Sequence, residues 1–298
     1  MKKLLIIGSK GFIGSHCTRF FKKKYQVWEC DVVTDYVEDN YFIIDASSSD
    51  YNEIFEQYDF DLCINCSGAA SVPDSIKHPQ RDFNLNVVNV AKQLEAIRKF
   101  RPNCKYINLS SAAVYGNPNY LPIDESHPLS PISPYGVHKK MSEELCSEYY
   151  NNFGIKTVSL RIFSAYGNGL YKQLFYDLYK KTQTYDKISL FGTGRESRDF
   201  IHVSDIVKAI EIVMLNSNFQ NEVYNIGSGV ETSIDNAASL FIKHLDLNKS
   251  LQFGGEIRIG DPLNWVADMS KLQDLGFYPS TILDDGLLNY ARWLKESE

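Results

Sequence analysis

Apolar residues in this chain fall into short strand-like runs, most of them separated by stripes of helical spacing. The runs lie near 3–8, 26–31, 41–45, 61–66, 104–110 and 155–161, each of strand length. Between them, apolar positions recur at helical intervals near 12–24, 50–58, 79–99 and 134–152. Strand and helix signals that alternate with short loops predict an α/β fold, a doubly wound parallel sheet with right-handed crossovers. After about residue 164 the pattern loosens. Helices are expected near 169–181, 204–216, 232–244 and 283–294, among short strands and Gly/Pro turns. No repeat, low-complexity tract or long linker divides the 298 residues. The expected organisation is a sheet domain over 1–163, rejoined by about 200–224. A smaller C-terminal α/β lobe over 164–199 and 225–298 would bind substrate across a cleft.

The first strand runs straight into Gly8-Ser9-Lys10-Gly11-Phe12-Ile13-Gly14, and a helical stripe follows. Glycines at this junction permit the turn, let backbone amides approach a pyrophosphate and let helix pack close to strand. The next apolar run ends in the acidic Asp31. Strand, glycine turn, helix and a later carboxylate are the context that a dinucleotide site requires.

Composition narrows the partners. Charged residues are 23% and the formal net charge is −6, so there is no global basic field for nucleic acid or an anionic membrane. No stretch approaches the roughly 18 apolar residues of a membrane span, and Leu4 to Ile7 is too short for a signal-peptide core. The cytoplasm is the expected compartment. Cys17, Cys30, Cys63, Cys66, Cys104 and Cys146 are scattered through apolar segments, as reduced core thiols are. Cys63 and Cys66 form a CxxC, but in a predicted strand residues three apart point to opposite faces. No metal is expected.

The chemistry is concentrated after the later strands, where open α/β sheets place their sites. The strand Lys105-Tyr106-Ile107-Asn108-Leu109 is followed by Ser110 and Ser111, and 24 residues after Ser111 comes Tyr135. Ser133 suits a helix N-cap and Pro134 the first helical position, so Tyr135 and Lys139 lie on one helical face. A free tyrosine has a pKa of about 10. A neighbouring ammonium and a positive nicotinamide ring would bring the phenol into range as a base. By itself this pair reads equally as an ordinary surface pair.

The ordered set of GxxGxxG, serine pair and YxxxK resembles the extended short-chain dehydrogenase/reductase family. Within it the chain is similar to the NAD-dependent nucleotide-sugar epimerase/dehydratase branch. The resemblance continues through Asn65 to Ala70 with Pro73 and Ser75, then Leu160 to Gly167 and Phe191 to Val203. It closes with Tyr224 to Gly229, Arg258 to Pro262 and Ala267 to Lys271.

The resemblance implies a Rossmann-type domain with bound NAD. Gly8, Gly11 and Gly14, with Phe12 and Ile13, would form the pyrophosphate turn. Asp31 would hold the adenosine ribose and repel a 2′-phosphate, and Asp45 with Ala46 would meet the adenine. Ser111 would bind the sugar hydroxyl. Tyr135 would be the base, and Lys139 would bind the nicotinamide ribose and lower the tyrosine pKa. Arg198 and Arg258 would hold the diphosphate of a nucleoside-diphosphate sugar, a task suited to a guanidinium fork. The other reading of each is a structural ion pair, for Arg198 with Asp199. Ser164 stands where many epimerases carry an asparagine touching the diphosphate. Arg161 reads as structural, and His138 as pointing away from the cleft.

Departures from the family select the reaction. The 4,6-dehydratases carry an Asp-Glu pair where this chain has Ala112 and Ala113, which leaves no carboxylates for elimination. A C4 epimerase is expected, with a 4-dehydrogenase or 4-keto-sugar reductase as the alternative, and a silent NAD-binding sensor as the remote one. Phe83, Val87, Val90, Ala91, Leu94 and Ile97 stripe the helix near 79–99 more broadly than one buried face needs. Relatives pair this helix and the Tyr-bearing helix across a two-fold, so a homodimer is expected.

Overall fold

The computed structural model describes residues 2–37, 39–45, 49–256 and 258–297. The first strand, β1 (Lys3–Ile7), forms because four consecutive branched aliphatic side chains can be buried on both faces of a sheet. Leu4 and Ile6 enter one core, and Leu5 and Ile7 the other. With β2 (Gln26–Asp31), β3 (Tyr41–Ile43), β4 (Leu62–Asn65), β5 (Lys105–Ser111) and β6 (Thr157–Ile162) it builds most of the main sheet. The three strands β7 (Ser164–Tyr166), β8 (Lys187–Leu190) and β9 (Ser197–His202) intervene before the last member, β10 (Glu222–Ile226). The order of the seven is β10-β6-β5-β4-β1-β2-β3, and every pairing is parallel. The chain order reverses between β1 and β4, so a crevice opens beyond Ile7 and Asn65, which are register partners.

On one face lie α1 (Phe12–Phe21) and, across from it, the helix Val203–Asn216. On the other lie α2 (Asn52–Gln57), the helical segment from residue 79 to 100, and the long helix Pro134–Phe153. Cys63 sits in the second core while Cys66 packs against the first, the opposite-face placement expected of a CxxC in a strand.

One predicted element differs, and one helix was not predicted. The stripe near 79–99 is not one uniform α-helix. It is α4 (Pro79–Phe83), a π turn (Asn84–Val88) and α5 (Asn89–Phe100) in unbroken succession. A separate short helix, α3 (Val72–Lys77), precedes it, capped by Ser71, whose hydroxyl accepts from the Asp74 N–H at 3.2 Å. Its six residues carry too little periodicity to read in the sequence.

The remaining helices are α6 (Pro134–Phe153), α7 (Gln173–Thr182), α8 (Val203–Asn216), α9 (Ile234–His244), α10 (Ser270–Asp274) and α11 (Leu283–Glu296). In the later part of the chain β11 (Glu231–Ser233) joins β9 and β7 in a three-stranded sheet, and β12 (Ser250–Phe253) pairs with β8. A third core of Tyr166, Phe175, Phe241 and Tyr290 lies under them. No helix among the described residues is long and apolar enough to cross a membrane.

Candidate active site

Gly8 opens the turn at the end of β1. Its φ of +78° suits glycine, and a Cβ there would lie 2.6 Å from the Ser67 nitrogen. The Gly8 N–H donates to the Cys30 carbonyl at 2.7 Å, and the Gly11 N–H donates to the Gly8 carbonyl at 3.1 Å. Gly11 has no side chain to cap α1, so the first amides of that helix face the crevice with its positive dipole end. Phe12 turns its ring against His16, and Ile13 packs against the first core, so both meet the crevice through their backbone. Asp31, at the tip of β2, is nearly buried. Its carboxylate accepts from the backbone N–H of Lys10 at 2.8 Å and of Val32 at 2.7 Å. Asp45 lies exposed just after β3 and Ala46 is outside the described residues.

The catalytic candidates converge because α6 starts against the end of β5. Ser133 caps the helix, accepting from the Gly136 N–H at 3.2 Å, and a Cβ at Gly136 would lie 2.5 Å from the Ala113 carbonyl oxygen. That close approach sets the Tyr135 phenol beside the Ser111 hydroxyl, which favours the phenolate. Ser111 also accepts from the Ala113 N–H at 3.2 Å, fixing a 3₁₀ turn (Ala112–Val114) in which Ala112 and Ala113 are both buried. One turn along α6, the Lys139 ammonium donates to the Leu109 carbonyl at 2.8 Å.

Electrostatics here are governed by burial. Desolvation lifts the Tyr135 phenol to about 12, opposed by the Ser111 hydrogen bond and aided by the Asp82 charge. Desolvation lowers the Lys139 ammonium to about 8, against the pull of Asp82 and Glu143. The Lys139 ammonium is 6.0 Å from the Tyr135 ring centre and donates one of its three N–H groups to Leu109.

Behind these groups lie residues that sequence reasoning missed. Asn86, in the π turn, donates through Nδ2 to Asp82 Oδ1 at 3.1 Å, while its own Oδ1 is buried with no partner. That oxygen and Lys139 Nζ both border Gly68, in the loop after β4. A buried, unsatisfied acceptor beside the ammonium, with a glycine turn opposite, fits a dinucleotide whose ribose brings hydroxyl donors. His138 faces away from Tyr135, its Nδ1 2.6 Å from Asp82 Oδ1 and its ring against Phe83. The signal available in the sequence was the series Asn84, Asn86, Asn89 along an otherwise apolar stripe.

The arginines divide. Arg161 is buried, joined to Glu143 through Nη2 at 2.7 Å and Nε at 3.0 Å, and to the Tyr115 hydroxyl at 2.9 Å. Glu143 also accepts from Ser110 at 2.5 Å. Arg198 lies over the Trp265 ring and donates to the carbonyls of Ser197 at 2.7 Å and Leu263 at 3.2 Å. Asp199, read as its ion-pair partner, instead turns inward to accept from Ser228, Gly229 and Ala267. Arg258 forms a two-pronged pair with Asp261 at 2.8 and 3.1 Å, although it is 44% exposed rather than buried. Ser164 opens β7 opposite Phe200. Among the described residues no group of three or more His, Cys, Asp or Glu is placed to hold a metal ion.

The model of the NAD dependent epimerase/dehydratase family matches residues 4–227, which takes in the glycine turn, β5 and α6. The chain belongs to this family. It is 32% identical, over 98% of each chain, to a Bacillus subtilis protein named uncharacterized UDP-glucose epimerase YtcB. Among solved structures, the UDP-glucuronic acid 4-epimerase of Bacillus cereus, in complex with UDP-glucuronic acid and NAD, superposes with a TM-score of 0.90. It is 27% identical and covers 99% of this chain and 100% of its own. The UDP-N-acetylglucosamine 4-epimerase of Methanobrevibacter ruminantium, in complex with UDP-N-acetylmuramic acid, gives 0.89 at 26% identity, covering 100% and 99%. The protein is thus an enzyme of an NAD-dependent family, and its fold is the doubly wound sheet that the alternation predicts.

Proposed function

We propose that this enzyme interconverts the C4 epimers of a uridine-diphosphate hexose, with NAD as its resident cofactor. The observation that carries the reading is the convergence of Ser111, Tyr135 and Lys139 where α6 starts against the end of β5, next to alanines at 112 and 113. NAD, when bound, supplies a hydride acceptor for C4 and a positive charge beside the phenol. Ser111 and Tyr135 orient the sugar hydroxyl, and Tyr135 removes its proton as C4 becomes a carbonyl. Lys139 keeps its ammonium in the site and offers it to the nicotinamide ribose, as Asn86 offers its free acceptor. Gly8, Gly11, Gly14, Phe12 and Ile13 line the pyrophosphate through their backbone. Asp31 takes the adenosine ribose, and Asp45 and Ala46 the adenine. Arg198, with Ser164 and with Arg258 once it exchanges Asp261 for phosphate, retains the nucleotide while the keto-sugar turns over. With the hydride given back to the opposite face of C4 and the proton returned from Tyr135 to its oxygen, the C4 epimer would form and nothing would be consumed. The absence of side-chain carboxylates at 112 and 113 leaves elimination of water without an acid or base there.

We assign residues 1–163 and about 200–224 to the dinucleotide domain and 164–199 with 225–298 to the substrate lobe. We also propose a homodimer formed by α5 and α6 across a two-fold, supported by Met141 and Phe153, exposed on the outer side of α6. A monomer by light scattering at micromolar concentration overturns it. Six free cysteines, five of them buried, support a reducing, cytoplasmic setting.

The deciding experiment offers the purified enzyme UDP-glucose, UDP-glucuronic acid and UDP-N-acetylglucosamine, each without added NAD, and follows product by NMR. An epimerase converts one of them to its C4 epimer with no net absorbance change at 340 nm. Stoichiometric reduced cofactor with a 4-keto product would establish the dehydrogenase instead.

A further inference from the structure

The glycine turn carries a charged side chain that the reading above does not use. The Lys10 N–H donates to Asp31 Oδ2 at 2.8 Å, so this residue begins one hydrogen bond from the carboxylate assigned to the adenosine ribose. Its side chain stays at that end of the sheet. The ammonium lies 2.6 Å from Asp35 Oδ2, 3.3 Å from Glu29 Oε2 and 4.8 Å from the centre of the Tyr41 ring. Glu29 and Asp31 are two apart on β2 and share a face of the sheet. Glu29 is buried and its other oxygen is met by Lys22 Nζ at 2.6 Å. The shorter contact of the Lys10 ammonium is with Asp35.

We propose that Asp35 is a specificity residue for the cofactor. By engaging the Lys10 ammonium, it withholds from the ribose end a cation that would otherwise bind a phosphate on the ribose 2′ oxygen. The inference rests on the NAD reading of Asp31 and extends it. As the residues stand, the Lys10 ammonium meets the carboxylates of Glu29 and Asp35, while its backbone N–H meets that of Asp31. The carboxylates gathered there repel a 2′-phosphate of nearly two negative charges and leave a neutral hydroxyl unaffected. Removing the Asp35 charge lessens that repulsion and frees ammonium donors on the residue whose backbone already meets the ribose carboxylate. An ammonium binds phosphate far better than hydroxyl, so the gain goes to the phosphorylated cofactor. Asp31 alone therefore does not account for the choice of dinucleotide.

The test titrates NADH and NADPH by fluorescence into the full-length protein and into Asp35→Asn, Lys10→Met and the double variant. The ratio of the two dissociation constants, NADPH over NADH, is expected to fall at least fivefold in Asp35→Asn. In the double variant it is expected to return to within twofold of the starting ratio, because the benefit needs the lysine. An unchanged ratio in Asp35→Asn overturns the proposal. An equal fall in the double variant also overturns it, since Asp35 would then act by repulsion alone. An unsubstituted protein that binds neither dinucleotide would overturn the cofactor reading on which the inference stands.

Discussion

The Lys139 ammonium stands 6.0 Å from the centre of the Tyr135 ring and donates to the Leu109 carbonyl at 2.8 Å, not to the phenol. Helical spacing of four residues puts the two side chains on one face without making them partners. The direct contact of the phenol is Ser111. Burial drives the two groups in opposite directions, the phenol up to about 12 and the ammonium down to about 8, because each favours its neutral form where water is scarce. Burial thus opposes the phenolate in the protein alone, and a positive charge brought beside the phenol would favour it.

Tyr135→Phe removes one oxygen and no packing volume. Turnover of the C4 pair is expected to fall by a factor of about 10² or more, while NADH titration still shows binding. Ser111→Ala is expected to lose less, because the serine orients the hydroxyl and does not carry the proton alone. Near-normal turnover in Tyr135→Phe would place the base elsewhere.

The Lys139 pKa of about 8 gives opposite signs for binding and stability. Above that pH the folded protein loses the ammonium offered to the cofactor ribose, so NADH affinity should decline as pH rises through about 8. The decline should be absent in Lys139→Met. The unfolded chain keeps this proton to about 10.4, so between these values the unfolded state binds more protons and stability rises with pH. From pH 8 to 10 the unsubstituted protein should gain about 2 to 3 kcal/mol relative to Lys139→Met in urea unfolding.

Asp31 accepts two short backbone hydrogen bonds and so presents its carboxylate in one fixed orientation. NADH is expected to bind at least tenfold tighter than NADPH, a gap of about 1.4 kcal/mol. Asp31→Ala should narrow that gap when both dissociation constants are measured by titration.

Glu143 lies beneath the site, holding Arg161 and Ser110 together. Glu143→Gln leaves the buried guanidinium uncompensated and is expected to cost about 3–5 kcal/mol, read as a lower urea midpoint. The double variant Glu143→Gln/Arg161→Met should recover part of the loss. A midpoint unmoved by Glu143→Gln would show that the pair contributes nothing to stability.

The main sheet was legible in the sequence because parallel strands buried on both faces must be runs of apolar residues, and β1, β2, β4, β5 and β6 are such runs. The glycine turn and the Ser133-Pro134 start of α6 were equally legible, since their residue types answer local backbone demands that hold in any tertiary setting. What local pattern cannot encode is which groups meet across the fold. The π turn that aims Asn86 at Gly68 conforms to the same apolar stripe as an unbroken helix. The inward turn of Asp199 and the hold of Asp35 on Lys10 depend on backbone positions set by other elements. The pKa of Tyr135 was decided in the same way. The sequence placed a lysine one turn away, but the depth of the crevice determined how much water reaches the phenol, and that depth exists only once β5, α6 and the π turn have packed together.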